Sequence, residues 1–579
     1  DFSSYPKGLI YGLDILDNWL YDDEHPFAQV QLIPVFDKLK ELKNQGYFED
    51  LIQRYLLDNP HGSVLTLNPS RGLTARKAKA LEDKLDAYLS SLSEEEKTEL
   101  VKKTANLEQY QEAPEDPEAA KCIPMLKRED IRKEITPFTN EALDIDGSLF
   151  LYHEVPTNGI GYLDLMFDLS DVPEKDLPMV GLLQAVLGII DTEHYEYGEL
   201  FNEINRHTGG IGTSLELYPD VTKVKEKEFK ATFEIKGKAL YGQIPFAIRM
   251  MKEILTASKL DDEKRLKEIL SMTKTRLQDR FLSAGHSAAA LRAMSYKSPI
   301  SKFKDTTNGI EYYQNIREME EHFDEKKEEI ISGLKALSEL LFRKGNVMIS
   351  YTASREGLAV LEEEIGSLKE ALYPERTPES RCILHCEKKN EGFKTSSKVQ
   401  FAAKAGNFID AGEEYNGALQ ILKVIMSYEY LWINIRVKGG AYGCMSNFNR
   451  IGEGYFVSYR DPNLGRTLEI YDGVPEYLEN FTVSERDMTK YIIGTISNID
   501  QPMTPALKGE RSMNLYMNHV TAQMIEEERA QILDANEEDI RALAEVVEAV
   551  LGSNQICVIG SEEKIEEQKS LFKETKSLF

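Results

Sequence analysis

The chain has 579 residues, more than one hydrophobic core accommodates, so two or more domains are expected. Its 98 acidic and 70 basic residues give a formal net charge of −28, which argues against nucleic acid and anionic membranes as partners and would attract basic or amphipathic peptides. The five cysteines, Cys122, Cys382, Cys386, Cys444 and Cys557, are too few and scattered for a disulfide framework, and no run of about 18 apolar residues provides a membrane span.

The N-terminus, DFSSYPKGLI, has neither a signal-peptide pattern nor an initiating Met. It reads as the continuation of a longer polypeptide, in a compartment such as the cytoplasm or an organelle matrix rather than outside the cell. Residues 1–68 read as mainly helical, with Leu32, Val35, Leu39 and Leu42 spaced for one apolar face. SVLTL (63–67) reads as a short strand between Pro and Gly turns. From Thr74 the chain becomes a charged helical hairpin. Leu81, Leu85, Tyr88, Leu89 and Leu92 make one stripe, while Leu100, Thr104 and Leu107 make another. Ser93 and Glu96 form a capping-box signature for the second helix, and the prolines of EAPEDPEAAKCIP (112–124) end it. The hairpin, 69–130, reads as a solvated connector.

Beyond residue 131 the pattern turns α+β. YLDLMFDL (162–169), FKATFEIK (229–236), KVQFAAKAG (398–406) and GEGYFVSYRD (452–461) alternate or run apolar like strands. Stretches 178–190, 246–255 and 418–437 read as helices. The segments FNEINRHTGGIGT (201–213) and LWINIRVKGGAYG (431–443) align, with Arg206 on Arg436 and Gly209-Gly210 on Gly439-Gly440. Each follows an apolar helix and precedes a strand. This points to two homologous α+β domains in tandem, each an antiparallel sheet packed with helices.

Catalytic and metal motifs are sparse. His153-Glu154 fails as H-E-x-x-H because Thr157 holds the last position, and neither Glu193-His194 nor Glu321-His322 completes H-x-x-E-H. Cys382, His385 and Cys386 cluster but lack a fourth ligand, in a stretch (ESRCILHCEKK) that reads as a strand. There is no P-loop, nucleophile elbow or dinucleotide fingerprint. What stands out is Arg436, Gly439, Gly440 and Tyr442. On one reading Arg436 caps a helix C-terminus and Tyr442 packs under a strand. On the other, the glycines admit another backbone, the guanidinium grips a carbonyl or carboxylate, and the phenol donates to a developing oxyanion.

IRVKGGAYG (435–443) followed by FVSYRDPN (456–463), with the NPH…LNP segment and the acidic hairpin, resembles the C-terminal half of presequence-protease-like metallopeptidases. These belong to the pitrilysin/insulinase superfamily, the inverted H-x-x-E-H zinc proteases. The resemblance implies a clamshell of two halves around a peptide-degrading chamber. It divides this chain into the end of a second domain (1–68), the hairpin (69–130), a third domain (131–372) and a fourth (380–579). It also implies that Arg436 and Tyr442 hold substrate backbone beside the scissile bond, with Tyr442 serving the oxyanion. The zinc would sit in an N-terminal half absent from this chain, because Gly181-Leu182-Leu183-Gln184-Ala185 stands where H-x-x-E-H would fall and holds no metal. Alone, the chain would then be inactive. The alternative is a non-catalytic scaffold of the same superfamily.

Overall fold

The computed structural model describes residues 7–579 apart from 69, 114–116, 121, 146 and 377–380. The stretch before Lys7, the boundary positions 69 and 380 and the Pro114 segment therefore lie outside the described residues. The chain forms two compact units, 7–126 and 127–579.

The first unit is helical. Lys7–Trp19 and Ile33–Leu42 precede the hairpin helices Leu73–Ser91 and Glu94–Glu112. The capping box forms as expected: Ser93 Oγ accepts from the Glu96 N–H at 3.2 Å, and the Ser93 N–H donates to Glu96 Oε2 at 2.8 Å. No described residue of this unit is fully buried, so the stripe of Leu81, Leu85, Tyr88 and Leu89 stands exposed. SVLTL forms no strand: Val64, Leu65 and Leu67 lie exposed on unpaired backbone. β-propensity alone does not make a strand where no neighbour completes the ladder. Among the described residues, no helix is long and apolar enough to cross a membrane.

The second unit holds two six-stranded sheets. The first contains β1 (Glu141–Ile145), β2 (Ser148–Glu154), β3 (Ile160–Asp168), β4 (Ile211–Pro219), β5 (Phe229–Leu240) and β6 (Val347–Ala353), in the order β1-β2-β6-β3-β5-β4. The second contains β7 (Glu391–Thr395), β8 (Phe401–Asn407), β9 (Gly443–Phe448), β10 (Glu453–Tyr459), β11 (Gln555–Ser561) and β12 (Glu574–Ser577), in the order β12-β7-β11-β8-β10-β9.

Removing the outermost β1 and β12 leaves the same five-strand topology in both, with one parallel pair each, β2·β6 and β7·β11. The sixth strand differs. β1 is the preceding segment, antiparallel to β2, whereas β12 is the chain's last strand, parallel to β7. The sheets are thus mixed rather than purely antiparallel. The tandem α+β architecture stands.

Alternation places the core. Leu163, Leu165 and Phe167 of β3 are buried on one face with Phe233 and Ile235 of β5, while Met166 joins a separate cluster with Tyr218 and Met513 on the other. Helices cross between the two sheets. Glu263–Ser295 kinks at Ala284 and packs on β8, β10 and β11 of the second sheet, while Pro505–Met517 packs on β2, β4 and β6 of the first. Beside that crossing, buried Arg292 donates to Asp305 at 2.5 Å and to Glu391 of β7 at 2.6 and 3.1 Å. Lys576 of β12 also reaches Glu391, at 2.8 Å.

Two expected helices are shorter than their apolar runs. The first, Leu177–Val186, stops where Leu187 turns extended and Gly188 takes a φ of 87°. The run 418–437 is not one helix. Ala418–Tyr428 ends at Glu429, whose carboxylate accepts from the buried Tyr491 hydroxyl at 2.7 Å, and a π-helical turn follows at Trp432–Val437.

Candidate functional site

The π-turn is what carries Arg436. Its wide i→i+5 ring closes from the Lys438 N–H to the Ile433 carbonyl at 2.9 Å, and the Ala441 N–H reaches back to Ile435 O at 3.0 Å. The chain then reverses through Gly440, whose φ of 79° favours glycine. Its counterpart before β4, Gly210, has a φ of 112°, so the aligned pairs do the same conformational work. Asn463 braces the reversal, donating from Nδ2 to the Gly439 carbonyl at 2.7 Å. Asn463 is oriented in turn by buried Asp461, which accepts from the Asn463 N–H at 2.8 Å and the Thr467 hydroxyl at 2.6 Å. Burial pushes the Asp461 carboxyl upward.

Arg436 and Tyr442 are brought together. The Arg436 guanidinium carbon lies 4.1 Å from the Trp432 ring centroid and 5.6 Å from that of Tyr442. No carboxylate among the described residues pairs with it, and its fork caps no carbonyl. Stacking holds the plane while leaving the N–H edges open. Tyr442 is 65% exposed and does not pack under a strand. Its N–H bonds to Tyr459 O at 3.0 Å, and its ring meets Tyr459 edge-on at 5.6 Å. Tyr459 in turn meets His286 at 4.9 Å, and burial lowers the His286 imidazole's affinity for a proton. Arg436 and Tyr442 precede β9, an edge strand.

Sequence reading missed Trp432, Tyr459 and Asn463 as parts of this frame. The four-residue spacing of Trp432 and Arg436 was a usable signal. The partnership of Asn463 with Gly439 was not, since it joins distant segments.

Residues 181–185 do not fit a zinc ion. At Gly181 a side chain would begin 2.5 Å from the Thr307 carbonyl oxygen and 2.6 Å from the Tyr312 ring. Leu182 and Leu183 are buried in the core. Gln184 Nε2 donates to Thr213 O at 3.1 Å and Thr213 Oγ1 to Gln184 O at 2.9 Å, so this helix is stitched to β4. No group of three His, Cys, Asp or Glu among the described residues is placed to hold a metal. His153 is buried and satisfied by Thr139 O and Ser350 Oγ, each at 3.0 Å. The 381–390 stretch forms no strand. It is tethered by the Cys382 N–H to Ser170 O at 2.7 Å and by His385 Nδ1 to Glu174 Oε2, also at 2.7 Å. Burial pushes the Cys382 thiol up to about 11, an environment for a thiol rather than a thiolate ligand.

A family model for the region associated with subfamily C of the M16 peptidases matches residues 67–319, and one described as the PreP C-terminal domain matches 390–562. Protein HypA of Clostridium perfringens is 38% identical over 100% of this chain and 59% of its own length. Presequence protease 1, chloroplastic/mitochondrial, of Arabidopsis thaliana is 29% identical over 99% of this chain and 54% of its own. The mitochondrial presequence protease of Danio rerio is 24% identical over 96% and 56%. The chain therefore spans somewhat more than half the length of these relatives. Among solved structures, a peptidase M16 inactive domain from Pseudomonas fluorescens superposes with a TM-score of 0.51 at 15% identity, covering 73% of this chain and 97% of that one. A conserved protein from Enterococcus faecalis superposes with a TM-score of 0.51 at 14% identity, covering 73% and 99%. At such identities these two speak for the fold alone.

Proposed function

We propose, on the premise that this chain belongs to the M16 peptidase family in its presequence-protease-like branch, that it is the substrate-binding half of a zinc metalloendopeptidase acting on unstructured peptides. Its partner is an N-terminal half lying outside this chain. Zinc is assigned to that half because residues 181–185 offer no His or carboxylate ligand and, at Gly181, no room for a side chain. The observation that carries the reading is the pairing of Arg436 and Tyr442. Both stand at the head of an edge strand, one held flat by Trp432 and the other anchored through its backbone, with their hydrogen-bonding groups unspent.

An extended peptide lying along β9 would offer a carbonyl to the guanidinium fork and its neighbour to the phenol. Tyr442 donates to the scissile carbonyl oxygen as charge gathers on it. Gly439 and Gly440 keep the approach free of side chains. Five free cysteines suit a reducing cytoplasm or organelle matrix.

The test is peptide hydrolysis by the chain assembled with its N-terminal half. Tyr442→Phe lowers kcat by about 10²–10³, and an unchanged kcat overturns the role. Arg436→Lys raises KM, since a point charge does not reproduce the fork. The scaffold alternative rests on the degenerate 181–185 helix. It requires that the assembled halves show no hydrolysis at all.

A further inference from the structure

The face of the first sheet turned away from its main core carries a polar group beside its small apolar cluster. Asp164 of β3, Glu234 and Lys236 of β5, Glu216 of β4 and Ser350 and Thr352 of β6 share it, under the Pro505–Met517 helix. That roof is pressed down: at Gly509 any side chain would begin 1.7 Å from Thr352 Oγ1. Beside this contact the helix and strands part around a cavity of about 310 Å³, within the range of small-ligand sites, lined by Tyr162, Asp164, Lys236, Thr352, Glu510 and Met513 among others.

Three carboxylates share one ammonium on this face: Lys236 Nζ lies 2.9 Å from Glu234, 3.4 Å from Glu216 and 3.7 Å from Asp164, with Lys238 also on the cavity wall. Glu234 is fully buried, with Oε1 accepting from the Tyr218 and Thr232 hydroxyls at 2.6 Å each and Oε2 facing Lys236 alone. Asp164 is 8% exposed and lines the cavity, and its Oδ1 has no hydrogen-bond partner among the described residues. Tyr162 and Met513 supply an apolar collar, and Glu510 stands exposed on the roof helix.

We propose that this cavity binds a primary ammonium or guanidinium group carried on an aliphatic stem, with Asp164 as its counter-ion and Glu510 at the rim. A buried carboxylate with one oxygen lacking a donor and the other 3.7 Å from a shared ammonium calls for a further cationic donor. The walls suit a hydrocarbon stem, and no set of ligands for a metal ion is present among the described residues. The source is either a basic side chain of a peptide or a free small amine.

The site also couples to protons. Burial first, then the neighbouring Glu234, push the Asp164 carboxyl well above its ordinary range, and a cation bound beside it would draw it back down. The charged groups facing Asp164 are Glu234, Lys236 and Lys238 on β5, Glu216 on β4 and Glu510 overhead. Tyr218 stays neutral, raised by burial and by Glu234. His153, behind Ser350, is kept neutral by burial.

Calorimetry on the full chain tests this without reference to hydrolysis, using Nα-acetyl-lysine amide, 1,5-diaminopentane and the neutral Nα-acetyl-norleucine amide. At least one charged probe binds tenfold or more tighter than the neutral one. Binding strengthens as pH rises and releases up to one proton, read from the dependence of heat on buffer. The acetylated probe binding tighter identifies a peptide side chain, and the diamine binding tighter identifies a free amine. Asp164→Asn weakens binding at least tenfold, Glu510→Gln on the surface weakens it measurably, and Tyr442→Phe leaves it unchanged. No binding, equal binding of the neutral probe, or full affinity in both carboxyl variants overturns the proposal. Because these readouts are independent of peptide cleavage, failure here is distinguishable from failure of the proposed function.

Discussion

Arg436 owes its pose to a neighbour four residues back. With Trp432 4.1 Å below the guanidinium, the fork is ordered before any ligand arrives. Trp432→Ala therefore removes a partly exposed cation–π contact of about 0.5–1 kcal/mol and raises KM by roughly two- to fivefold with kcat nearly unchanged. Steady-state kinetics of the assembled enzyme reads this, and a kcat loss matching that of Tyr442→Phe would contradict it. Of this site, Arg436, Gly439, Gly440 and Tyr442 were legible because their types and spacing are local. Trp432 was visible but unread, and Asn463 could not be placed, since its bond to Gly439 spans the intervening β9–β10 hairpin.

Between elements, the long helix Glu263–Ser295 is tied to β7 by Arg292. Removing Arg292 leaves Asp305 buried without this cation and Glu391 with Lys576 alone, so Arg292→Ala costs about 3–5 kcal/mol of stability, measured from urea unfolding. Burial alone would raise the Glu391 carboxyl, but Arg292 and Lys576 outweigh it and hold the group down to about 2. A depressed folded value stabilises most where the unfolded group is ionised. The contribution is therefore complete above about pH 4.5 and lost as pH falls through about 2. The parent's unfolding midpoint should drop over that window more steeply than that of Glu391→Gln, which starts lower. A parallel fall in both proteins would show that Glu391 is not the titrating group.

Over the whole molecule, the net charge of −28 favours basic peptides by long-range attraction rather than contact. Cleavage of charge-reversed peptide pairs by the assembled enzyme should favour the basic member at about 20 mM salt and lose most of that preference near 300 mM, as the Debye length shrinks. Equal rates at low salt would remove charge from the account of substrate choice.

The amino-acid sequence by itself determined the tandem α+β repeat, the capped helical hairpin and the aligned glycine turns. Each depends on short-range physics: side-chain periodicity, an N-cap hydroxyl, a backbone angle that favours glycine. It misjudged SVLTL and 381–390, which carry strand patterns but find no ladder, and it ran one helix through Glu429, where a hydrogen bond to distant Tyr491 helps end it. Only the tertiary structure decided that β1 joins its sheet from the segment just before β2 and β12 from the chain's last strand, that a helix following each sheet's early strands reaches the other sheet, and that Asp164 faces a cavity. These outcomes depend on which distant surfaces meet, and neither propensity nor spacing along one strand encodes that meeting.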